Sequence, residues 1–198
     1  MQFKLFGNVR IDVEKFGIDL LSMSAHKFYG PKGIGALYVK NGIEFERIQD
    51  GGHQERGKRS GTENVAGIVG LAEALKFANG NLEENNRKIL ENRNYFINKL
   101  EERIKDIEIN GDLEKRLPGN INVTFKEKEG LELLLKLDEY NICASAGSAC
   151  STGEGSPSHV LTALGLSSEK ASSTLRFSLG KENTKEEIDY VINILNKL

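Results

Sequence analysis

Ile18-Asp19-Leu20-Leu21-Ser22-Met23-Ser24-Ala25-His26-Lys27-Phe28-Tyr29-Gly30-Pro31-Lys32-Gly33-Ile34-Gly35-Ala36-Leu37-Tyr38-Val39 reads as an apolar run, a short turn of small and polar residues, and a second apolar run. Ile18, Leu20 and Leu21 precede the turn, and Ile34 to Val39 are apolar enough for a buried strand. Lys27 therefore stands at a strand junction, beside the hydroxyl of Ser24, the imidazole of His26 and two glycines.

Outward from this stretch the spacing turns helical at Thr62, with Val65, Ile68, Val69, Ala72 and Leu75 recurring on one face until Asn79-Gly80-Asn81 breaks it. A second, longer helix is expected from about Glu83 to Lys105, turning Ile89, Phe96, Leu100 and Ile104 inward. The two helices meet at the Asn-Gly break, which divides the chain into residues 1–79 and 80–198. Beyond it Ile107 and Ile109, then Ile121, Val123 and Phe125, alternate as half-buried strands, and Leu131 to Leu137 is helical. Ser156-Pro157 reads as a cap with proline at the first helical position, opening a short helix through Leu164. Leu175, Phe177 and Leu179 make a further strand. Thr184-Lys185-Glu186-Glu187 is a capping box that opens a last helix burying Ile188, Val191, Ile192 and Leu195. The class is mixed α/β, without repeats or low-complexity tracts.

The 198 residues, 38% hydrophobic and 28% charged, suffice for one substantial core or two small ones. A net charge of −2 gives no global attraction to nucleic acid or to an anionic membrane. The apolar runs are far shorter than a membrane span, and the N-terminus lacks a signal-peptide layout, so a soluble cytoplasmic protein is expected. Two cysteines, Cys143 and Cys150, are too few for a disulfide framework and suit a reducing compartment.

Four stretches carry chemistry. A lysine amine is nucleophilic only when unprotonated, and burial or nearby cations favour that form. Lys27 with Ser24 and His26 suits pyridoxal phosphate, whose aldehyde condenses with the amine while its phosphate needs donors. Taken alone, the motif reads more simply as a glycine-rich hairpin with a solvated lysine. Gly51 to Asn64 ends where the first helix begins, and its amides, the Thr62 hydroxyl and nearby cations suit an anion, although an ordinary cap after a basic loop explains them as well. Lys58 and Arg59 without interleaved aromatics are poor support for nucleic-acid binding. Ala144 to Ser156 is dominated by small residues and is expected as an exposed loop that lets the Cys150 thiol approach a substrate, whereas Cys143, next to Ile142, is expected to be buried. Zinc on Cys143, Cys150 and His159 would have only three ligands at unfamiliar spacing. Arg176 interrupts the strand Thr174 to Leu179, where it either faces solvent or grips a carboxylate through two parallel hydrogen bonds.

From about Ile11 to the end, these motifs in this order resemble the cysteine desulfurase family, pyridoxal-phosphate enzymes of the class V aminotransferase-like group. Ser24-Ala25-His26-Lys27 looks like its cofactor-lysine signature, and Arg59-Ser60-Gly61-Thr62 like its phosphate loop. Ser148-Ala149-Cys150 looks like its nucleophile loop, and Leu175-Arg176-Phe177-Ser178 like its substrate-carboxylate strand. Pro157 to Leu161, Asn110-Gly111-Asp112 and Leu117 to Asn120 match the small domain's helix and turns. The resemblance implies an α/β fold: the remaining, C-terminal part of a fold type I large domain with a parallel-centred sheet, then a small α+β domain carrying the cysteine loop.

It also implies roles. Lys27 would bond the cofactor, yield to the amino group of L-cysteine and shuttle a proton. Ser24, His26 and Thr62 would hold the phosphate, Thr62 in the neighbouring subunit, hence a homodimer. Arg176 would fix the substrate carboxylate while Cys150 takes the sulfur as a persulfide, releasing L-alanine. The sulfur would pass to an iron–sulfur scaffold or another acceptor for iron–sulfur cluster or thio-cofactor assembly. His53 reads equally as structural or as an aid to proton transfer. Full-length relatives carry a long preceding segment that supplies a ring-stacking imidazole, an aspartate and a glutamine to the cofactor. Met1 stands about where the aspartate would be and Lys4 about where the glutamine would be. The resemblance thus implies a truncated chain whose sheet edges are open, with residues from about Gly80 onward more stable than Met1 to Asn79. It leaves a complementing N-terminal chain, a non-catalytic module docking a sulfur-acceptor protein, and a selenocysteine lyase-like enzyme as alternatives.

Overall fold

The structure, a computed structural model, describes residues 6–146 and 158–198. Strands β1 (Leu20–Ser24) and β2 (Gly35–Val39) pair antiparallel, with Leu20 opposite Val39 and Ser24 opposite Gly35. Only glycine fits at 35, because a Cβ there would stand 2.5 Å from the Met23 carbonyl oxygen. A parallel pair needs a crossover of about a dozen residues or more. The shorter link between β1 and β2 turns the chain back instead, and every strand pair among the described residues is antiparallel. The parallel-centred sheet implied by the family resemblance is therefore not present among these residues. Nor is β2 a buried strand: Leu37, like Leu20 of β1, is 50% exposed, since a two-stranded sheet has no further strand and no second layer to cover that side.

Helix α1 (Val65–Gly80) begins three residues later than the periodicity suggests. Its cap is Asn64, whose Oδ1 accepts the Gly67 amide at 3.0 Å, rather than Thr62. The expected inward face is also displaced. Val65, Ile68 and Val69 are exposed, while Gly67, Leu71 and Ala78 are buried, the last two against Phe6, Leu21, Ala25 and Phe28. Glycine and alanine let the lysine turn dock closely on this side: Gly30 lies against Ala74, and Gly70 against Pro31. Hydropathy ranked the branched residues as core, but close approach selected the small ones.

Helix α2 (Leu82–Arg103) follows immediately after Asn81. The chain divides into two compact units, Met1–Glu83 and Glu84–Leu198. The second holds a four-stranded antiparallel sheet in the order β3 (Ile107–Ile109), β4 (Asn120–Phe125), β6 (Thr174–Ser178), β5 (Ser145–Ala146). Its helices are most of α2, then α3 (Gly130–Glu139), α4 (His159–Ala163), α5 (Ser168–Ser172) and α6 (Lys185–Leu195). Alternation along β4 and β6 sends Ile121, Val123, Phe125, Leu175 and Phe177 to one face, where they meet Phe96 and Leu100 of α2, Leu137 of α3 and Ile192 of α6. Ile89, Phe96, Leu100 and Ile104 are all buried, as their spacing requires. In α3 Leu133 and Leu137 are buried and Leu134 packs partly buried against the same core, while Leu131 and Leu135 face solvent. Helix α4 starts at His159 after Ser158; the Ser156-Pro157 cap expected for it lies outside the described residues.

The Thr184 capping box forms as read. Glu187 N–H donates to Thr184 Oγ1 at 3.3 Å, and Thr184 N–H donates to Glu187 Oε2 at 3.1 Å. The donors Asn183 Nδ2 and Thr184 N–H hold the Glu187 carboxyl below its ordinary range. A carboxyl depressed in the folded state stabilises it above the unfolded value and loses that contribution as pH falls through the folded value. Amide protection at the start of α6, taken relative to the intrinsic exchange rate at each pH, should therefore be greatest at neutral pH and fall on acidification below the ordinary glutamate range. In Glu187→Gln this pH dependence should largely disappear.

Candidate functional site

In the first unit the sequence places the lysine on a one-turn 3-10 helix, Ala25–Phe28, between the two strands. Ala25 and Phe28 point inward, 0% and 2% exposed, and pull the turn onto the small core. The turn is closed by Ala25 N–H to the Ile34 carbonyl at 3.0 Å and by Gly30 N–H to the Ala25 carbonyl at 2.9 Å. This geometry turns His26 and Lys27 outward together, with Ser24 half-buried at the entry and its side chain uncommitted to capping. A hydroxyl, an imidazole and an amine thus share one turn. That donor set fits an aldehyde carrying a phosphate.

The loop before α1 is built from left-handed residues. Glu55, Arg56 and Gly57 have φ of 48°, 59° and 78°. Buried Ser60 ties the loop back through Oγ to the Gly52 carbonyl at 2.8 Å, and Gly61 N–H donates to Gln54 Oε1 at 3.1 Å. Thr62 and His53 both stand exposed, Thr62 between this tied loop and the Asn64 cap.

In the second unit Arg176 is central to β6, opposite Asn122 of β4 on one side and Ser145 of β5 on the other. Its Nε is buried and without a hydrogen-bond partner among the described residues. Leaving such a donor unpaired costs about 1–3 kcal/mol. The same face carries Asn110, Thr124 and Thr174, all buried and all neutral. No described acidic side chain pairs with Arg176, so a small carboxylate fits as the missing acceptor.

That polar face was hidden in plain alternation, Asn120-Ile121-Asn122-Val123-Thr124-Phe125, which marks a face with its own partners. Asn110 Nδ2 donates to Asn122 Oδ1 at 2.8 Å and to Thr124 Oγ1 at 2.9 Å. Thr124 and Thr174 hydroxyls are 2.8 Å apart, and Thr174 Oγ1 donates to the Lys170 carbonyl of α5 at 2.7 Å. Arg116 steadies the loop that carries Asn110 by donating to the Asn110, Asp112 and Asn120 carbonyls. Burial and the nearby Arg93 charge lower the Arg116 pKa, with Asp112 opposing them. Thr124→Val keeps the shape but removes the link, stranding one buried Asn110 hydrogen. Urea denaturation should show a loss of about 1–3 kcal/mol.

Cys143 is exposed, contrary to expectation. Ile142 takes the core position, and the chain leaves the core at the next residue, so Cys143 lines an open groove with Tyr140, Phe177 and Tyr190. Cys150 lies outside the described residues, as does most of its loop. His159 stands exposed at the start of α4, and among the described residues no three His, Cys, Asp or Glu side chains gather as metal ligands. Ser24, His26, Lys27 and Thr62 belong to one unit and Arg176 to the other.

The aminotransferase class-V family model matches residues 4–191. The chain is 52% identical over 194 residues to the cysteine desulfurase IscS of Clostridium botulinum, covering 97% of this chain and 49% of that protein. Among solved structures, a NifS-like protein aligns with a TM-score of 0.86 at 36% identity over 97% of this chain and 49% of that one. The NifS-like protein of Rickettsia africae aligns with a TM-score of 0.86 at 31% identity, covering 97% and 50%. The chain spans about half the length of the curated relatives it matches. With the lysine turn, the tied loop before α1 and the arginine strand all inside the matched region, the chain belongs to the aminotransferase class-V family.

Proposed function

We propose that this chain carries the cofactor lysine, the substrate-carboxylate arginine and the sulfur-accepting cysteine of a pyridoxal phosphate-dependent cysteine desulfurase. The observation that carries the reading is the Nε of Arg176, buried and without a partner among the described residues, in a strand paired to β5 at the root of the cysteine loop. Cys150 is the fifth residue after Ser145. A fully extended chain of five residues spans at most about 18 Å.

When bound, the cofactor supplies an electron sink beside the substrate α-carbon. Lys27 would hold the cofactor through its aldehyde and would move a proton at that carbon. Ser24, His26 and Thr62 would donate to its phosphate. Arg176 holds the carboxylate of L-cysteine with two parallel hydrogen bonds. The Cys150 thiolate attacks the substrate sulfur: an S–S bond forms, the C–S bond breaks, and its electron pair stays with the carbon fragment, which leaves as L-alanine after protonation. The persulfide sulfur then passes to an iron–sulfur scaffold or another acceptor protein. A reducing cytoplasm suits this chemistry because the thiol must stay free.

The same reading includes assembly with further polypeptide. The exposed Val65, Ile68 and Val69 of α1 and the uncovered β1–β2 sheet support a homodimer or a complementing N-terminal chain, with Thr62 serving the neighbouring site.

The test is chemical. Pyridoxal phosphate is added, the adduct is reduced with borohydride, and peptides are mapped. Selective labelling of Lys27 is the expected result, with alanine and sulfide formed from L-cysteine and dithiothreitol in a separate, unreduced sample. Label spread evenly over the surface lysines would overturn the assignment.

A further inference from the structure

The hydrogen bonds across the polar face of the four-stranded sheet can run in only one direction. The Lys170 carbonyl has no hydrogen to give, so the Thr174 hydroxyl must donate to it. Having spent its one hydrogen, Thr174 can only accept from Thr124. Thr124, now committed as donor, must in turn accept, so the Asn110 group facing it is the NH2 and not the carbonyl. The second hydrogen of that NH2 then goes to Asn122, which must present its oxygen. A backbone carbonyl on α5 thus dictates the orientation of a carboxamide two strands away.

The consequence falls on Arg176. Asn122 stands between Asn110 on one side and Arg176, its register partner, on the other. With Oδ1 turned to Asn110, the Asn122 NH2 is turned away from β3, toward the side of the row where Arg176 stands. Residues directly opposite on antiparallel strands have Cα atoms about 4.5–5.5 Å apart. The Asn122 amide donor therefore faces the side of the row that holds Arg176, whose buried Nε has no acceptor among the described residues. Two donors on one side of the row, one of them buried and without an acceptor among the described residues, suit an anion.

We propose that Asn122 is a second binding residue for the substrate carboxylate, its Nδ2 amide donating to the same small carboxylate that Arg176 holds. The proposal rests on reading Arg176 as the carboxylate-binding residue. Ser145, the other register neighbour, carries a small side chain.

The experiment uses the 15N-labelled chain and needs neither cofactor nor turnover. L-Alanine, which has the amine and carboxylate of cysteine without its thiol, is titrated in. The Arg176 Nε–H and Asn122 Nδ2 side-chain signals are followed, each assigned from its absence in Arg176→Lys or Asn122→Leu. Both signals should move with one midpoint, L-alaninamide should move neither, and Asn122→Leu should weaken alanine binding about tenfold or more. If Arg176 responds and Asn122 does not, the proposal is overturned while the reading of Arg176 stands. If neither responds, both fall. An equal response to alaninamide also overturns it, because the carboxylate is then not what is recognised. Through-bond assignment of the two signals in the 13C,15N-labelled unsubstituted chain serves in place of either variant, so an unfolded variant does not block the test.

Discussion

Lys27→Ala is expected to abolish selective reductive labelling by pyridoxal phosphate and to lower alanine formation from L-cysteine by at least about 10²–10⁴-fold, the usual share of a positioned proton-transfer group. The loss should be chemical rather than structural. Lys27 is on the outward side of a turn whose attachment rests on Ala25 and Phe28, so the amine can be removed without touching the small core. Circular dichroism and the denaturation midpoint of Lys27→Ala should match the unsubstituted chain. Cys150→Ala should behave differently: labelling of Lys27 persists and the persulfide is lost. Arg176→Gln should keep the label and raise KM for L-cysteine, since it removes the carboxylate grip and leaves the lysine intact. Persistent selective labelling in Lys27→Ala, or loss of labelling in Cys150→Ala, would contradict these roles.

Leu100→Ala should produce the largest stability change, about 3–5 kcal/mol, against a total of about 5–15 kcal/mol for a typical domain. Leu100 is 0% exposed and lies in α2 amid Ile121, Val123, Leu137 and Ile192, where the sheet and three helices converge. Rigid neighbours on every side cannot collapse into the space, so the cavity persists and its cost adds to the lost transfer energy. The effect should be confined to Glu84–Leu198. Among the described residues that unit buries sixteen apolar side chains in its core cluster, and Met1–Glu83 buries six. Limited proteolysis of the unsubstituted chain should accordingly leave a fragment beginning near Gly80, and in Leu100→Ala that fragment should lose its resistance. A cost below about 1 kcal/mol would mean that the core is not centred on this residue, and survival of the N-terminal portion instead would reverse the ranking of the two units.

The elements legible from residue order are those governed by neighbours a few positions away. The inward stripe of α2 follows from 3.6-residue spacing, the alternation of β4 and β6 from the pleat, and the start of α6 from the Thr184 and Glu187 exchange. The lysine turn belongs with them, because the register of β1 against β2 and the buried Ala25 and Phe28 oblige His26 and Lys27 to face outward.

Tertiary packing settled which of the remaining apolar residues are core and what the polar residues of the sheet touch. Val65, Ile68 and Leu37 have the hydropathy of buried residues and are exposed, because burial depends on what lies opposite and the two-stranded sheet has no covering layer on that side. Cys143 leaves the core where Ile142 enters it, a difference of one residue that no local pattern encodes. The orientation of Asn122 depends on residues 110, 124, 174 and 170, brought into one row by strand pairing, and the unpartnered Arg176 Nε is defined only by what surrounds it. Periodicity and capping act over one turn or one pleat and can be read along the chain, whereas close packing and hydrogen-bond direction are properties of distant segments in contact.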